Sequence, residues 1–210
     1  MIRWLLRRAP IVRNGPRDAA AVALTFDDGP SEWTAPIAEA LERHECLGTF
    51  FVLGAAVERS PGSVAALAAA GHELGNHLWS HRDAADLSIA EIRRELERTA
   101  AAVKAAANVT PLLVRPPYIS APERVARAAR GTVVLRNVDP ADWRATSAVQ
   151  VVEDVLAAVG PGDIVCLHDG VAPNNNGTPS RRPTVEAVAE LVPALLARGL
   201  RPVTVSELLR

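Results

Sequence analysis

The chain of 210 residues holds two cysteines, a single lysine and no extended basic block. Cys46 and Cys166 fall in or beside apolar segments. They read as two buried, unpaired thiols, not as the staple of a small secreted domain. Positive charge is almost wholly arginine and comes in pairs, Arg7-Arg8, Arg93-Arg94 and Arg181-Arg182, within a net charge of −1. Nothing there calls for nucleic acid or an anionic membrane surface. No apolar run approaches the roughly 20 residues needed to cross a bilayer. At the N-terminus the run Trp4-Leu5-Leu6 ends at Arg7, short of the roughly 7–15 apolar residues of a secretory signal. The expectation is a cytoplasmic protein, with a leader missing from the given sequence as the competing explanation. A Gly-x-Gly-x-x-Gly loop, an internal repeat and an interdomain linker are also absent. Monomer is the default assembly.

What is present is an ordinary globular composition, 49% hydrophobic and 22% charged. Short apolar segments alternate with amphipathic ones. Strands are expected at 21–26, 49–53, 73–76, 112–114, 132–135, 163–167 and 201–205, and helices at 34–43, 61–70, 88–107, 121–129, 148–159 and 184–197. The longest helix opens on Ser88-Ile89-Ala90-Glu91, a capping-box pattern. Residues 169–183, with Asn174-Asn175-Asn176-Gly177, read as a polar, turn-rich loop. About seven strand–helix units in one domain call for a parallel sheet. Ionisable residues follow one strand after another: Asp27 and Asp28, then His77, Arg115, Asp139 and His168. Such a gathering at the C-terminal ends of strands is how an α/β barrel presents a site. An open doubly wound sheet is the alternative. Residues 1–18 are expected to be a short extension and 19–210 the catalytic domain.

The most informative stretch is Thr25-Phe26-Asp27-Asp28-Gly29-Pro30. Neighbouring side chains on an extended backbone point to opposite sides, so one carboxylate could bind a metal while the other moves protons. Some fifty residues later comes His77-Leu78-Trp79-Ser80-His81. Histidines at i and i+4 share one face of a helical turn, a spacing that serves a single divalent ion. One carboxylate, two imidazoles and a spare carboxylate make up a hydrolytic metal site. Structural histidines, an N-capping Asp27 and a non-haem iron site remain open alternatives on these residues alone.

With Arg115-Pro116-Pro117-Tyr118, Asp139-Pro140-Ala141-Asp142-Trp143 and Leu167-His168, these segments make five motifs in order. Together they resemble the polysaccharide deacetylase family (carbohydrate esterase family 4, the NodB homology domain) over nearly the whole chain. The resemblance implies a distorted (β/α)7 barrel and metal-dependent removal of acetyl groups from N-acetylglucosamine-containing glycans of chitooligosaccharide or peptidoglycan type. It implies Asp28, His77 and His81 as ligands of one divalent ion, zinc by donor type, with cobalt or nickel also fitting. Asp27 is then the general base, kept ionised by Arg115, and His168 the general acid, oriented by Asp139. Asp142 could instead cap the turn after it. The Tyr118 N–H would serve an oxyanion, Trp143 would wall the sugar groove, and Cys166 and Leu167 would line the substrate pocket.

Two positions depart from the family pattern. Ile119 stands where glycine is usual after the tyrosine, which puts the following turn in question. Cys166 stands where leucine usually lines the acetyl pocket, so the pocket is expected to admit slightly larger acyl groups. The competing functions are an amidohydrolase acting on a non-sugar amide or a specialised amino-sugar metabolite, and an inactive glycan-binding module.

Overall fold

The structure, a computed structural model, describes residues 8–174 and 177–210. Its strands are β1 (Ile11–Val12), β2 (Ala21–Asp27), β3 (Thr49–Val52), β4 (Glu73–Asn76), β5 (Leu113–Val114), β6 (Thr132–Val134), β7 (Ile164–His168) and β8 (Arg201–Val203). The helices are α1 (Thr34–Glu42), α2 (Gly54–Arg59), α3 (Pro61–Ala69), α4 (Ile89–Ala107), α5 (Pro122–Ala128), α6 (Ala148–Ala158), α7 (Arg182–Ala197) and α8 (Val205–Leu208). Among the described residues no helix is long and apolar enough to cross a membrane.

All strand pairings are parallel, in the order β1-β6-β5-β4-β3-β2-β7, with β8 on the first half of β2. The ring closes between the chain after β6 and β7 through a lone bridge, Val138 to Val165. Within the stretch 1–18, expected as an extension, Ile11–Val12 pairs with β6 and so belongs to the sheet. A two-residue strand carries too little periodicity to be seen in advance. The same holds for α2, six residues opening on glycine, separated from α3 at Ser60.

A period of two sorts the strand residues into layers. On β2 and β7, Val22, Leu24, Phe26, Val165 and Leu167 pack outward into a core shared with α1 and α7 residues such as Ile37, Leu41, Val188 and Leu191. Their neighbours Ala23 and Ile164 belong to the separate cluster inside the barrel, with Phe51, Leu113 and Val134. Gly75 on β4 makes room there, since a Cβ would lie 2.3 Å from the Phe51 ring. Above this floor the interior positions become polar: Thr25, Arg115 and Cys166, then Asp27 and His168, which are register partners across β2 and β7. The expected capping box of α4 is present, with Ser88 and Glu91 bonded reciprocally.

Candidate active site

A cavity of about 510 Å³ opens at the C-terminal ends of the strands, lined among others by Asp27, Asp28, His77, His81, Trp143 and His168. The two aspartates do not diverge as an extended backbone would send them. Asp28 sits just past β2 with φ 78°, and this left-handed turn brings both carboxylates to the same cavity. Nor do the two histidines lie on a helical turn. The segment after β4 is a loop in which Leu78 and His81 have φ of 64° and 58°. Asn76 Oδ1 accepts from Leu78 N, and Glu95 of α4 accepts from the N–H groups of Trp79 and Ser80. The side chains of neighbouring elements hold this strained loop, which is why an i, i+4 pair converges without a helix.

The convergence is on Asp28 Oδ1, 3.5 Å from His77 Nε2 and 3.2 Å from His81 Nε2. Each imidazole has an oxygen acceptor at its other nitrogen: His77 Nδ1 lies 2.8 Å from the Arg115 carbonyl, and His81 Nδ1 lies 3.0 Å from Asn174 Oδ1. Those acceptors place the protons on Nδ1 and leave Nε2 with a lone pair. Asp28 Oδ1 is buried and has no hydrogen-bond partner among the described residues. An orphaned carboxylate oxygen facing two lone pairs is a set of donors that a cation satisfies and a proton network does not. The residues therefore fit a divalent ion, with a mixed nitrogen and oxygen set suited to zinc. Burial works against the Asp28 charge, yet the adjacent imidazoles of His77, His168 and His81 hold its pKa down at about 2.

Asp27 is buried beside this triad. Arg115 Nη1 donates to Asp27 Oδ1 at 2.9 Å and to Thr25 Oγ1 at 2.7 Å, and the other guanidinium nitrogens reach the carbonyls of Val134 and Leu135. The guanidinium also lies 4.2 Å over the Phe51 ring. Burial opposes the Asp27 charge, but Arg115, then His77 and His168, keep its pKa below the ordinary carboxylate value.

His168 faces Asp27 from β7. Its Nδ1 donates to Asp142 Oδ1 at 2.7 Å, and Asp142 Oδ2 accepts from His168 N at 2.9 Å and Thr184 Oγ1 at 2.7 Å. Burial alone would push His168 down. The Asp142 charge and hydrogen bond, followed by Asp28 and Asp27, lift it to about 9. The residue that orients His168 is thus Asp142, and the expectation for Asp139 is corrected. Asp139 accepts from Arg136 Nε at 2.7 Å and from Ala141 N at 2.9 Å, at the rim of the cavity. The left-handed Ala141, φ 52°, turns the chain back so that the next residue, Asp142, is the one buried beneath the imidazole.

Tyr118 and Trp143 line the cavity, and the Tyr118 and His81 rings meet edge-to-face with centroids 4.7 Å apart. The turn after Tyr118 keeps a left-handed path in spite of Ile119, which takes φ 56° and carries the strain a glycine would avoid. Cys166 lies on the cavity floor, its Sγ 3.4 Å from Asp27 Oδ2. Leu167 does not line the pocket. It is wholly buried in the outer core, because a strand whose residues 166 and 168 face inward must turn 167 out.

Three contributors were not singled out from sequence. Asn174, noted only as part of a loop, reaches back to His81. Thr184 tethers Asp142 from α7. Arg181, which reads as half of a surface pair, is fully buried. It clamps the loop before α7 by donating to the carbonyls of Gly170, Trp143, Thr178 and Ser180. No local pattern marks such roles, since each depends on contacts across the barrel.

Comparison with known proteins points one way. The sequence profile described as polysaccharide deacetylase matches residues 14–133. A chitooligosaccharide deacetylase of Bradyrhizobium sp. (strain ANU 289) is 37% identical over 188 residues, covering 85% of this chain and 86% of that one. A peptidoglycan-N-acetylglucosamine deacetylase of Bacillus cereus is 34% identical over 195 residues, covering 91% and 69%. Among solved structures, a peptidoglycan N-acetylglucosamine deacetylase in complex with 4-naphthalen-1-yl-N-oxidanyl-benzamide superposes with a TM-score of 0.88 at 32% identity, covering 96% of this chain and 93% of that one. A carbohydrate esterase family 4 pseudoenzyme from Bacillus anthracis superposes almost as well, TM-score 0.86 at 26% identity over 95% and 69% of the two chains. Backbone similarity alone therefore does not separate active from inactive relatives, and the side chains must carry that argument.

Proposed function

The chain belongs to the polysaccharide deacetylase family, and from that premise we propose how its site works. It is an N-deacetylase, a hydrolase of carbon–nitrogen bonds other than peptide bonds, acting on N-acetylglucosamine-containing oligo- or polysaccharides of chitooligosaccharide or peptidoglycan type and releasing acetate. Metal dependence follows from the family, and we assign Asp28, His77 and His81 as the ligands and zinc as the ion. When bound, such an ion supplies Lewis acidity, lowering the pKa of water from about 15.7 to roughly 7 and polarising the amide carbonyl.

The remaining roles belong to side chains. Asp27 takes the proton of the attacking water, and its ion pair with Arg115 keeps it ionised and aimed. His168 gives a proton to the leaving amine nitrogen, which is a poor leaving group without one. Proton transfer by a positioned group is typically worth about 10²–10⁴ in rate. Asp142 holds the His168 ring so that Nδ1 carries a proton and Nε2 faces the cavity. The Tyr118 N–H stabilises the developing oxyanion, and Trp143 offers an aromatic face to the sugar.

The observation that carries this reading is the pairing of base and acid. Asp27 and His168 stand opposite each other on adjacent strands, each with its own buried partner, beside a triad fit for one cation. The test is acetate release from chitooligosaccharides of increasing length and from peptidoglycan fragments. It is measured after chelation and again with zinc or cobalt restored. Release that needs the ion and is lost in Asp27→Asn is the expected result. No release from any glycan by folded, metal-loaded protein would overturn the reading.

A further inference from the structure

Cys166 introduces a thiol where the proton-transfer groups meet. Asp27 Oδ2, Cys166 Sγ and a His168 ring nitrogen lie within 4.8 Å of one another. Arg115 occupies the other carboxylate oxygen, Oδ1, so Oδ2 is the atom free to bind, and it already accepts the Cys166 thiol at 3.4 Å. Asp142 occupies His168 Nδ1, so Nε2 is the free nitrogen, backed by a carboxylate in the way that metal-binding imidazoles usually are. Burial and the Asp27 charge keep the Cys166 thiol protonated, with its pKa raised well above the ordinary value, while the Arg115 guanidinium, 3.7 Å from Sγ, works the other way, so the thiolate forms only when an ion displaces the proton. All three residues line the same cavity.

We propose that Asp27, Cys166 and His168 form a second metal site, built for a thiophilic divalent ion such as zinc or cadmium. It adjoins the Asp28, His77 and His81 triad but differs from it in kind, because one donor is sulfur. Soft thiolate ligands select zinc and cadmium over hard ions such as magnesium. Binding is an exchange. One ion enters, and two protons leave to solvent, one from the Cys166 thiol and one from His168 Nε2. No electron is transferred. On the functional reading above, an ion held there removes both the base and the acid from proton transfer. Zinc is then required at its first equivalent and inhibitory at its second.

Binding itself supplies a test that does not depend on turnover. Chelated protein is titrated with cadmium while ion stoichiometry and the ultraviolet sulfur-to-metal charge-transfer band are followed together. The expected result is two bound ions, with the band rising on the second, and no band with magnesium. Cys166→Ala should abolish the band and the second ion while retaining the first, and Cys46→Ala should retain both. A single bound ion, two ions without a thiolate band, or a band that disappears in Cys46→Ala instead would each overturn the proposal. The wild-type titration is decisive even if the Cys166 variant folds poorly.

Discussion

Asp142→Asn removes one negative charge from beneath His168 with almost no change of shape. Asp142 makes the largest of the contributions that lift His168 to about 9 against the effect of burial. The gap from 6.5 corresponds to about 3 kcal/mol of preference for the imidazolium. Without the carboxylate, burial loses its main opponent and the value falls, with only Asp28 and Asp27 left to raise it. In metal-free protein at about pH 7.5 the wild-type acid is then protonated in a ratio of roughly thirty to one, and the variant to a much smaller extent. Acetate release near that pH should drop by about tenfold or more, with a smaller deficit near pH 5.5. An ion on Asp28 offsets that carboxylate's share of the lift, so the basic limb of the loaded enzyme lies below 9. The quantity to read is therefore its displacement on substitution, expected to be about two pH units toward acid. Stability should follow the same linkage. The folded pKa is raised, so the stabilisation is complete below about 6.5 and is lost as pH rises through about 9. Wild-type stability should decline over that window more steeply than that of the variant. The measurements are pH–rate profiles, together with an NMR titration of His168 in chelated protein. If Asp142→Asn leaves the basic limb in place and Asp139→Asn moves it, the assignment of the orienting carboxylate to Asp142 is wrong.

Other substitutions probe the floor and the rim. Arg115→Met leaves the Asp27 carboxylate buried without its partner and should cost about 3–5 kcal/mol in denaturant unfolding; Asp27→Asn added to it should recover part of the loss, and strict additivity would count against the pair. At Ile119, φ 56° inverts the usual order of small residues, so Ile119→Gly should be more stable than Ile119→Ala by about 1 kcal/mol. Equal stabilities would mean that the turn relaxes out of the left-handed region. Cys166→Leu should narrow the cavity floor and lower propionyl relative to acetyl turnover by about tenfold, the low end of what one methylene commands. A ratio unchanged by the substitution would remove Cys166 as the determinant of acyl size.

The barrel was legible because its signal is local and repeated. Each apolar strand segment, followed by a helix with a cap such as Ser88, can be read within a dozen residues. The convergence of Asp28, His77 and His81 has a similarly local signature, since all three occupy short motifs. What failed is instructive. Leu167 shares a family motif with His168, and strand alternation places the two on opposite faces. Asp139 and Asp142 lie in one motif, and only the left-handed turn at Ala141 decides which of them reaches the imidazole. The histidine pair converges on Asp28 from a loop and not from a helical turn, since its geometry depends on Glu95, distant in sequence.

Those failures share a cause. Of nine non-glycine residues with positive φ among the described residues, five line the cavity: Asp28, His81, Tyr118, Ile119 and Ala141. Each costs about 1–3 kcal/mol and persists only where its surroundings over-determine it. Propensity argues against such conformations, so a reading built on propensity and period goes wrong at these turns and succeeds beneath them. The surroundings that enforce them are visible in the contacts: Glu95 under the histidine loop, Arg115 bonded to β2 and to carbonyls beside β6, and Arg181 clamping the loop that carries Asn174. These groups are buried or half-buried, polar and distant from one another in sequence, and none of them donates to the cation triad through its own side chain. The division of labour follows from the energetics. A parallel barrel with an apolar floor contributes the stability, and part of it is expended in bending short loops until two imidazoles and a carboxylate face one point. Substitutions that relax those loops should accordingly raise stability while loosening the site, whereas substitutions in the floor should weaken both together.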